Sequence, residues 1–169
     1  MSLHIGAEQP EDQAGIRLVN ERAFETSAEA GLVDALRQQA RPLLSLVARD
    51  GDAIVGHILF SPVTLSSHPD LRVMGLAPMA VLPQRQRTGV GSALVRAGLQ
   101  ALRTSGIPAV VVLGHHAYYP RFGFVPASTF GIVSEYDVPD DVFMALELEP
   151  DTLKGRAGTI RYHPAFAAV

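Results

Sequence analysis

The stretch "QRQRTGVGSAL", residues 84–94, gathers cations, neutral hydrogen-bonding side chains and two glycines. The residues before it alternate like a strand, and those after it follow a helical period. A strand that turns directly into a helix brings backbone N–H groups and the positive end of a helix dipole to one place. Gly89 and Gly91 would let that backbone approach a bulky anion without a Cβ in the way. The pattern therefore predicts a phosphate site.

Side chains of the same turn would support this site. Arg85 and Arg87 add positive charge, and neutral hydrogen bonds are available from Gln86, Thr88 and Ser92. Taken alone, an ordinary turn with solvated arginines explains the pattern equally well, because short glycine motifs are weak evidence.

The common nucleotide signatures do not fit the turn. A P-loop has a lysine followed by serine or threonine after its second glycine, where this chain has Ser92 and Ala93. A dinucleotide-binding turn has a third glycine, where this chain has Leu94, and an acid about 20 residues further on, where it has an apolar run. ATP and NAD are therefore not the expected ligands.

Periodicity predicts the elements before the turn. Two helices follow a short strand at 3–7, and their apolar residues recur at helical spacing: Ile16, Val19, Ala23 and Phe24, then Leu32, Val33 and Leu36. Residues 43–61 are two extended runs joined by Asp50-Gly51-Asp52, which predicts a hairpin. The segments at 136–150 and 157–164 are expected to supply two or more late strands.

The segment around the turn predicts a βαβ unit. Residues 71–83 read as a strand with these residues on one side: Val73, Gly75, Ala77, Met79 and Val81. Pro78 predicts a bulge, an edge or a break in that strand, because proline cannot donate to a ladder. A helix follows from Gly89, with an expected core face at Val90, Leu94, Ala97 and Ala101. The run at 109–113 is apolar on both faces, like a buried parallel strand. We therefore expect an α/β mixed sheet with helices on both faces.

Composition excludes several classes of function. A length of 169 residues is typical of one domain, so residues 1–169 are expected to form a single unit. A net charge of −3 gives no electrostatic basis for nucleic-acid binding. The chain has no cysteine, which excludes disulfides, thiolate metal sites and a cysteine nucleophile. No leader or long apolar segment is recognisable, so a cytoplasmic protein without a membrane partner is expected.

Two motifs in this arrangement resemble the GNAT superfamily of N-acetyltransferases. The stretch "AVLPQRQRTGVGSALVRAGLQAL" is similar to the superfamily's loop for the pyrophosphate of acyl-CoA, with Gln86, Gly89 and Gly91 in its defining places. The stretch "YYPRFGF" resembles the superfamily's Tyr-x-(Lys/Arg)-x-Gly-Phe segment, with Tyr119 and Arg121 in register. Both motifs occur at the superfamily's separation, so the pair is more specific than either one. The similarity is specific over residues 71–126 and extends as an element order over 3–149.

The resemblance implies both a fold and a cosubstrate. The implied fold is a mixed sheet split by a bulge in the strand before the glycine turn, where Pro78 lies. Acetyl-CoA would lie in the split, with its pantetheine arm paired to that strand and its pyrophosphate on the turn. The residues implied to bind it are Met79, Ala80, Val81, Gln86, Arg87, Thr88, Gly89, Val90, Gly91 and Ser92. This chain departs from the family at Val112 and His115, where many members have Asn and Ala, so a short or irregular helix is expected after residue 113.

Acetyl transfer to an amine needs donors for an oxyanion and an acid for the departing thiolate. The resemblance implies a backbone N–H near Met79 or Ala80 as the oxyanion donor. Tyr119 is the predicted catalytic acid, because a tyrosine with a pKa of about 10 can protonate a thiolate with a pKa of about 8.5. Tyr118 is expected to point elsewhere. The alternative is that both tyrosines only cap the core.

The base and the acceptor stay open at this point. Five residues could deprotonate an ammonium, and the sequence ranks none of them: Glu25, Glu29, His57, His115 and Glu135. The acceptor pocket is expected near Phe24–Glu29 and near the late-strand residues Tyr136 and Tyr162. A metal is not expected, because the adjacent histidines at 115 and 116 lack a third ligand at a helpful spacing.

The sequence thus predicts an acetyl-CoA-dependent N-acetyltransferase, either a monomer or a homodimer. A primary amine of a small molecule or peptide would attack the thioester directly. The first alternative is a non-catalytic acyl-CoA-binding or sensor module, which would not need Tyr119 beside the thioester. A second alternative, a hydrolase or another nucleotide-using fold, would need a nucleophile motif or a lysine-containing loop, and the sequence has neither.

Overall fold

A mixed sheet with helices on both faces dominates the computed structural model, which describes residues 2–169. The first half of the chain forms β1 (Leu3–Ala7), α1 (Gln13–Phe24), α2 (Ala28–Gln39), β2 (Leu44–Asp50), β3 (Ala53–Leu65), β4 (Val73–Val81), α3 (Val90–Thr104) and β5 (Ala109–Leu113). The second half adds β6 (Val125–Pro126), β7 (Ile132–Ser134), β8 (Phe143–Glu147) and β9 (Gly158–Arg161). The expected α/β class is confirmed.

The sheet has the strand order β1-β2-β3-β4-β5-β8-β6, and β9 joins β3 to β7 at one end. Strands β4 and β5 are parallel, so β4, α3 and β5 form the expected βαβ unit. Neighbouring residues on β2 pack on opposite sides: Leu46 belongs to the apolar cluster that contains α3, and Val47 to the cluster that contains α1 and α2. The three helices therefore cover both faces of the sheet.

The buried face of α3 differs from the expected one. Val90 and Leu94 are buried as expected, but Ala97 and Ala101 lie at the margin, and the centre of the face is formed by Val95, Gly98, Leu99 and Leu102. The larger leucine and valine side chains gain more from burial than the two alanines do. Gly98 lets the helix pack closely, because a Cβ at this position would lie 2.3 Å from Phe60 Cε1.

A bulge interrupts the pairing of β4 with β3 at the predicted proline. Ile58 pairs with Met79, whereas Phe60 pairs with Leu76, so two residues of β4, Ala77 and Pro78, oppose one residue of β3. A bulge of this kind reverses the alternation of side chains beyond it. The bulge predicted at Pro78 is therefore present.

The reversal overturns one expectation. Alternation had placed Val73, Ala77, Met79 and Val81 on one side of the strand. Val73 and Ala77 pack away from α3, but Met79 and Val81 pack on the α3 cluster because they lie beyond the bulge. As a result, Met79 and Val81 face the glycine turn that begins α3.

The sheet is split between β4 and β5. Their parallel pairing runs from Val73 opposite Ala109 to Leu76 opposite Val112. Strand β4 then continues to Val81, while β5 ends at Leu113. Within residues 2–169, the segment 77–81 has no strand partner on the β5 side, so its backbone polar groups on that side are open to a ligand.

A chain of hydrogen-bonded polar groups, with Asn20 and His57 buried, ties α1 to the sheet. Asn20 Nδ2 donates to the Ile16 carbonyl at 2.9 Å and lies 3.2 Å from His57 Nδ1. Ser45 Oγ lies 2.9 Å from His57 Nε2 and donates to Glu8 Oε1 at 2.6 Å. Because the single Ser45 hydroxyl proton points to Glu8, His57 carries its proton on Nε2, and Nδ1 accepts from Asn20. The neutral imidazole thus satisfies both neighbours.

Candidate active site

The glycine turn and the end of β4 enclose a cavity of about 460 Å³, here called the loop cavity. Its walls come from the last residues of β4, from the turn and start of α3, and from the tyrosine segment after β5: Met79, Val81, Gln86, Arg87, Gly89, Gly91, Ser92, Tyr118 and Arg121. Arg87 and Arg121 give the cavity two positive charges. The loop cavity is therefore suited to an elongated anion.

The local conformation explains the glycines of the turn. Gly89 precedes α3 with φ +94°, a left-handed conformation that side chains disfavour. At Gly91, a Cβ would lie 3.3 Å from the Tyr118 hydroxyl and 3.4 Å from Met79 Cε, so a larger side chain would fill the loop cavity. The N-terminus of α3 adjoins this space, and a helix leaves its first N–H groups available to outside acceptors. These features suit the loop cavity to the binding of an anion.

A second cavity, of about 270 Å³ and here called the apolar cavity, lies on the other side of Met79. Residues from α1, α2, the bulge, β5, the tyrosine segment and the last turn of the chain line it: Phe24, Glu29, Leu32, Leu76, Ala77, Pro78, Met79, Leu113, Tyr119, Phe166 and Val169. Met79 lines both cavities. They therefore meet at the split in the sheet.

Tyr118 and Tyr119 face different cavities. The Tyr118 hydroxyl lies 2.9 Å from Ser92 Oγ in the loop cavity, and the Tyr119 ring lines the apolar cavity. Close packing of Tyr119 depends on Gly114, because a Cβ there would lie 2.2 Å from Tyr119 Cε2. Burial raises the pKa of Tyr119 to about 12, with a smaller contribution from Tyr118. The Tyr119 hydroxyl therefore stays protonated at neutral pH and can act as a donor.

A family model described as "Acetyltransferase (GNAT) family" matches residues 14–124. The chain belongs to this family. It is 44% identical over 153 residues to YjhQ, an uncharacterized N-acetyltransferase of Escherichia coli K12, and the match covers 85% of this chain and 84% of that protein. It is 37% identical over 163 residues to YhbS, a second uncharacterized N-acetyltransferase of Escherichia coli K12, and this match covers 96% of this chain and 97% of that protein.

Solved structures of GNAT proteins have the same fold. The crystal structure of E. coli YhbS in complex with CoA matches with a TM-score of 0.91 and 36% identity, over 98% of this chain and 92% of that one. A GNAT family acetyltransferase from Brucella melitensis in complex with acetyl-CoA matches with a TM-score of 0.81 and 38% identity, over 98% of each chain. The resemblance drawn from the two motifs is confirmed, and so is the class of enzyme, an acyltransferase.

Most of the residues that the GNAT resemblance implied for the cosubstrate line the loop cavity. Three side chains do not. Ala80 is buried in β4 and Val90 is buried beneath α3. Thr88 turns back and donates to the Arg85 carbonyl at 2.5 Å. Arg85 was expected to add positive charge to the turn. Its Nη2 lies 2.7 Å from Asp50 Oδ2, and this carboxylate offsets the charge.

The sequence did not assign two residues of the loop cavity a binding role, Tyr118 and Arg121. Arg121 Nε donates to the Tyr118 carbonyl at 2.8 Å, and its guanidinium lies 4.4 Å from the centre of the Tyr118 ring. The sequence did contain a signal for Arg121, because this residue occupies the basic position of the GNAT tyrosine segment. After β5, the chain forms a short 3₁₀ turn at Tyr119–Phe122, in agreement with the expected irregular helix.

The structure separates the candidate bases. Among them, in the part of the chain that the structure describes, Glu29 is the one that lines the apolar cavity. His57 is fully buried with both nitrogens hydrogen-bonded, and burial lowers its pKa to about 4. Glu135 accepts the Tyr162 N–H, while Glu25 and His115 are exposed.

The residues expected at the acceptor pocket do not all line one cavity. Phe24 and Glu29 line the apolar cavity, but Tyr136 and Tyr162 do not, and the last turn of the chain takes their place through Phe166. Tyr162 instead packs behind that turn, with its ring centre 5.2 Å from that of Phe166.

Within residues 2–169, no group of three or more His, Cys, Asp or Glu is placed to hold a metal ion. No helix in the same range is long and apolar enough to cross a membrane.

Proposed function

We propose that this GNAT protein transfers the acetyl group of acetyl-CoA to a primary amine. The observation that supports it most strongly is the meeting of two unlike cavities at Met79, beside the open edge of β4. The loop cavity has the cations and helix N-terminus that a pyrophosphate requires. The apolar cavity has room for an acceptor and contains Tyr119. CoA and acetyl-CoA in the related crystal structures agree with this assignment.

The chemistry follows from that arrangement. The neutral amine attacks the thioester carbonyl carbon, a C–N bond forms, and the C–S bond breaks to release the CoA thiolate. An ammonium must lose one proton to water before this attack, and the nitrogen of the tetrahedral intermediate loses a second proton to water as the amide forms. The Met79 N–H, which points to the open edge of β4, would stabilise the oxyanion that forms during attack, whereas the Ala80 N–H points to β3 opposite His57.

Tyr119, the acid predicted from the sequence, would assist the departure of the thiolate as a hydrogen-bond donor. With its pKa raised to about 12, a complete proton transfer to a thiolate whose pKa is about 8.5 is uphill by about 5 kcal/mol. We therefore propose that the Tyr119 hydroxyl donates a strong hydrogen bond to the sulfur as the C–S bond breaks, and that solvent completes the protonation. The raised pKa keeps this donor intact at every pH at which the enzyme would work.

A thiol-release assay tests the transfer directly. The chain has no cysteine, so a thiol reagent reports the CoA product without a signal from the protein. We expect amine-dependent CoA release, together with a mass increase of one acetyl group on the amine. Tight acetyl-CoA binding without turnover on any amine would favour the acyl-CoA-binding module instead. Tight ATP binding without CoA binding would refute the cosubstrate.

The role of Tyr119 has its own test. Tyr119→Phe keeps the ring packing and should lower kcat by about ten- to a thousandfold, with little change in the KM for acetyl-CoA. Tyr118→Phe removes the hydrogen bond to Ser92 in the loop cavity and should act mainly on that KM. Tyr136→Phe, which removes a hydroxyl away from both cavities, serves as the matched control. An unchanged kcat in Tyr119→Phe would show that the thiolate leaves without it.

We also propose that residues 1–169 form one domain, which the continuity of the sheet from β1 to β9 supports. The cytoplasmic location and the monomeric or dimeric state stay predictions from the sequence.

A further inference from the structure

The apolar cavity has a composition that selects its ligand. Carbon atoms dominate its walls, from Phe24 and Leu32 on the helices to Leu113 and Phe166 on the far side. Among the described residues that line it, Glu29 has the one charged side chain. A ligand that fits this cavity therefore needs an apolar body and a single cationic group.

The Glu29 carboxylate is held in place by its position on α2 and by one hydrogen bond. It lies in the first turn of α2, where the helix dipole favours a negative charge. Its Oε1 accepts a hydrogen bond from Thr26 Oγ1 at 3.1 Å, which orients the carboxylate. An oriented carboxylate at the wall of this cavity can accept hydrogen bonds from an ammonium group.

The size of the cavity limits the apolar body. An apolar cavity of about 150 Å³ holds a benzene molecule. The volume here, about 270 Å³, leaves space for one ring and a short aliphatic chain. A polyamine or an aminosugar would place several polar groups against apolar walls, where they would lose hydrogen bonds to water.

We propose that the acceptor is a small primary amine with an apolar body, such as an arylalkylamine, and that Glu29 binds its ammonium group. This inference rests on the proposed acetyl transfer and assigns the acceptor class of the same site. Glu29 acts in specificity: it holds the cation at the cavity wall until the nitrogen loses its proton to water and attacks.

A series of amines tests the acceptor class by kcat/KM in the thiol-release assay. We expect 2-phenylethylamine to exceed ethanolamine and spermidine at least tenfold, because burial of one ring is sufficient for a factor of this size. A preference for spermidine or ethanolamine would overturn the proposal. A peptide with N-terminal phenylalanine that is acetylated tenfold better than 2-phenylethylamine would overturn the small-molecule assignment.

Variants of Glu29 test the recognition step. Glu29→Gln should raise the KM for 2-phenylethylamine by about ten- to a hundredfold, the usual range for a lost hydrogen bond to a charged group. Its kcat and its KM for acetyl-CoA should stay unchanged, and Glu29→Asp should recover part of the loss. Glu25→Gln, which removes the same charge from an exposed position outside the cavity, is the matched control.

The outcomes separate this inference from the proposed function. If no amine is acetylated although acetyl-CoA binds, the acetyltransferase proposal itself fails. If amines are acetylated and Glu29→Gln leaves the acceptor KM unchanged, the function stands and the role of Glu29 is refuted. A fall in kcat alone would instead identify Glu29 as the base, which also contradicts a recognition role.

Discussion

Acid should destabilise the fold through the buried His57. Its ring is fully buried, and burial lowers its pKa to about 4, whereas the same side chain in the unfolded chain has a pKa near 6.5. Below pH 6.5 the unfolded state therefore binds a proton that the folded state does not. The free energy of unfolding falls as the pH is lowered from about 6.5 towards 4.

The size of this effect follows from the difference between the two pKa values. Each pKa unit corresponds to about 1.4 kcal/mol. The uptake of a proton by His57 in the unfolded chain therefore lowers the free energy of unfolding by about 3 kcal/mol between pH 7 and pH 4. The structural cause is local: a proton on Nδ1 would face the Asn20 amide, which is already a donor to the Ile16 carbonyl. A loss of this size is a large fraction of the stability of an ordinary domain.

Urea unfolding at pH 7 and pH 4, followed by far-UV circular dichroism, measures the effect. The readout is the difference between wild type and His57→Gln, which cancels most of the contribution of the carboxylates. We expect wild type to lose about 3 kcal/mol more than the variant between the two pH values. His4→Gln, at an exposed position on β1, is the control and should follow wild type.

Equal losses in wild type and His57→Gln would refute this reasoning. If the variant does not fold, an NMR titration of the wild type gives the same answer. The chain has six histidines, and the ring signal of one of them should titrate near pH 4. A midpoint near 6.5 for all six would contradict the buried neutral ring.

The remaining predictions concern two glycines. Gly91→Val should weaken CoA binding at least tenfold in calorimetry, because the valine side chain would enter the loop cavity beside Met79. Unchanged CoA affinity in a folded variant would refute the assignment of an anion site to this cavity. Gly98→Ala should lower the free energy of unfolding by about 1–3 kcal/mol, since its Cβ would meet the buried Phe60 ring. Gly31→Ala on α2, where a Cβ meets open space, should be neutral or stabilising; equal effects of the two alanines would contradict the packing argument.

The sequence was most informative where local chemistry decides the structure. The helical and strand periods predicted all three α-helices, the hairpin of β2 and β3, and the βαβ unit, because each depends on nearby residues. Pro78 marked the bulge for the same reason. Strands β6 and β7 were not predicted, because two and three residues are too short to show a period.

Long-range packing explains what the sequence did not predict. Phe166 lies at the apolar cavity because the last turn of the chain packs against α2, and nothing near residue 166 specifies that partner. Tyr118 and Tyr119 line different cavities, and their contacts with Ser92 and Gly114 involve residues far from both in the sequence or on another element. The side-chain reversal beyond Pro78 required the register with β3, which the sequence does not contain.

The split between β4 and β5 makes the folded protein an incomplete sheet. A ligand whose amide groups pair with residues 77–81 acts as the missing strand, and it binds the folded state alone. At a hundred times its dissociation constant, such a ligand adds about 2.7 kcal/mol to the free energy of unfolding. Proteases that attack transiently opened chains would then digest the protein more slowly when acyl-CoA is abundant. If acyl-CoA pairs with this edge as proposed, the lifetime of the enzyme would rise with the supply of its own cosubstrate.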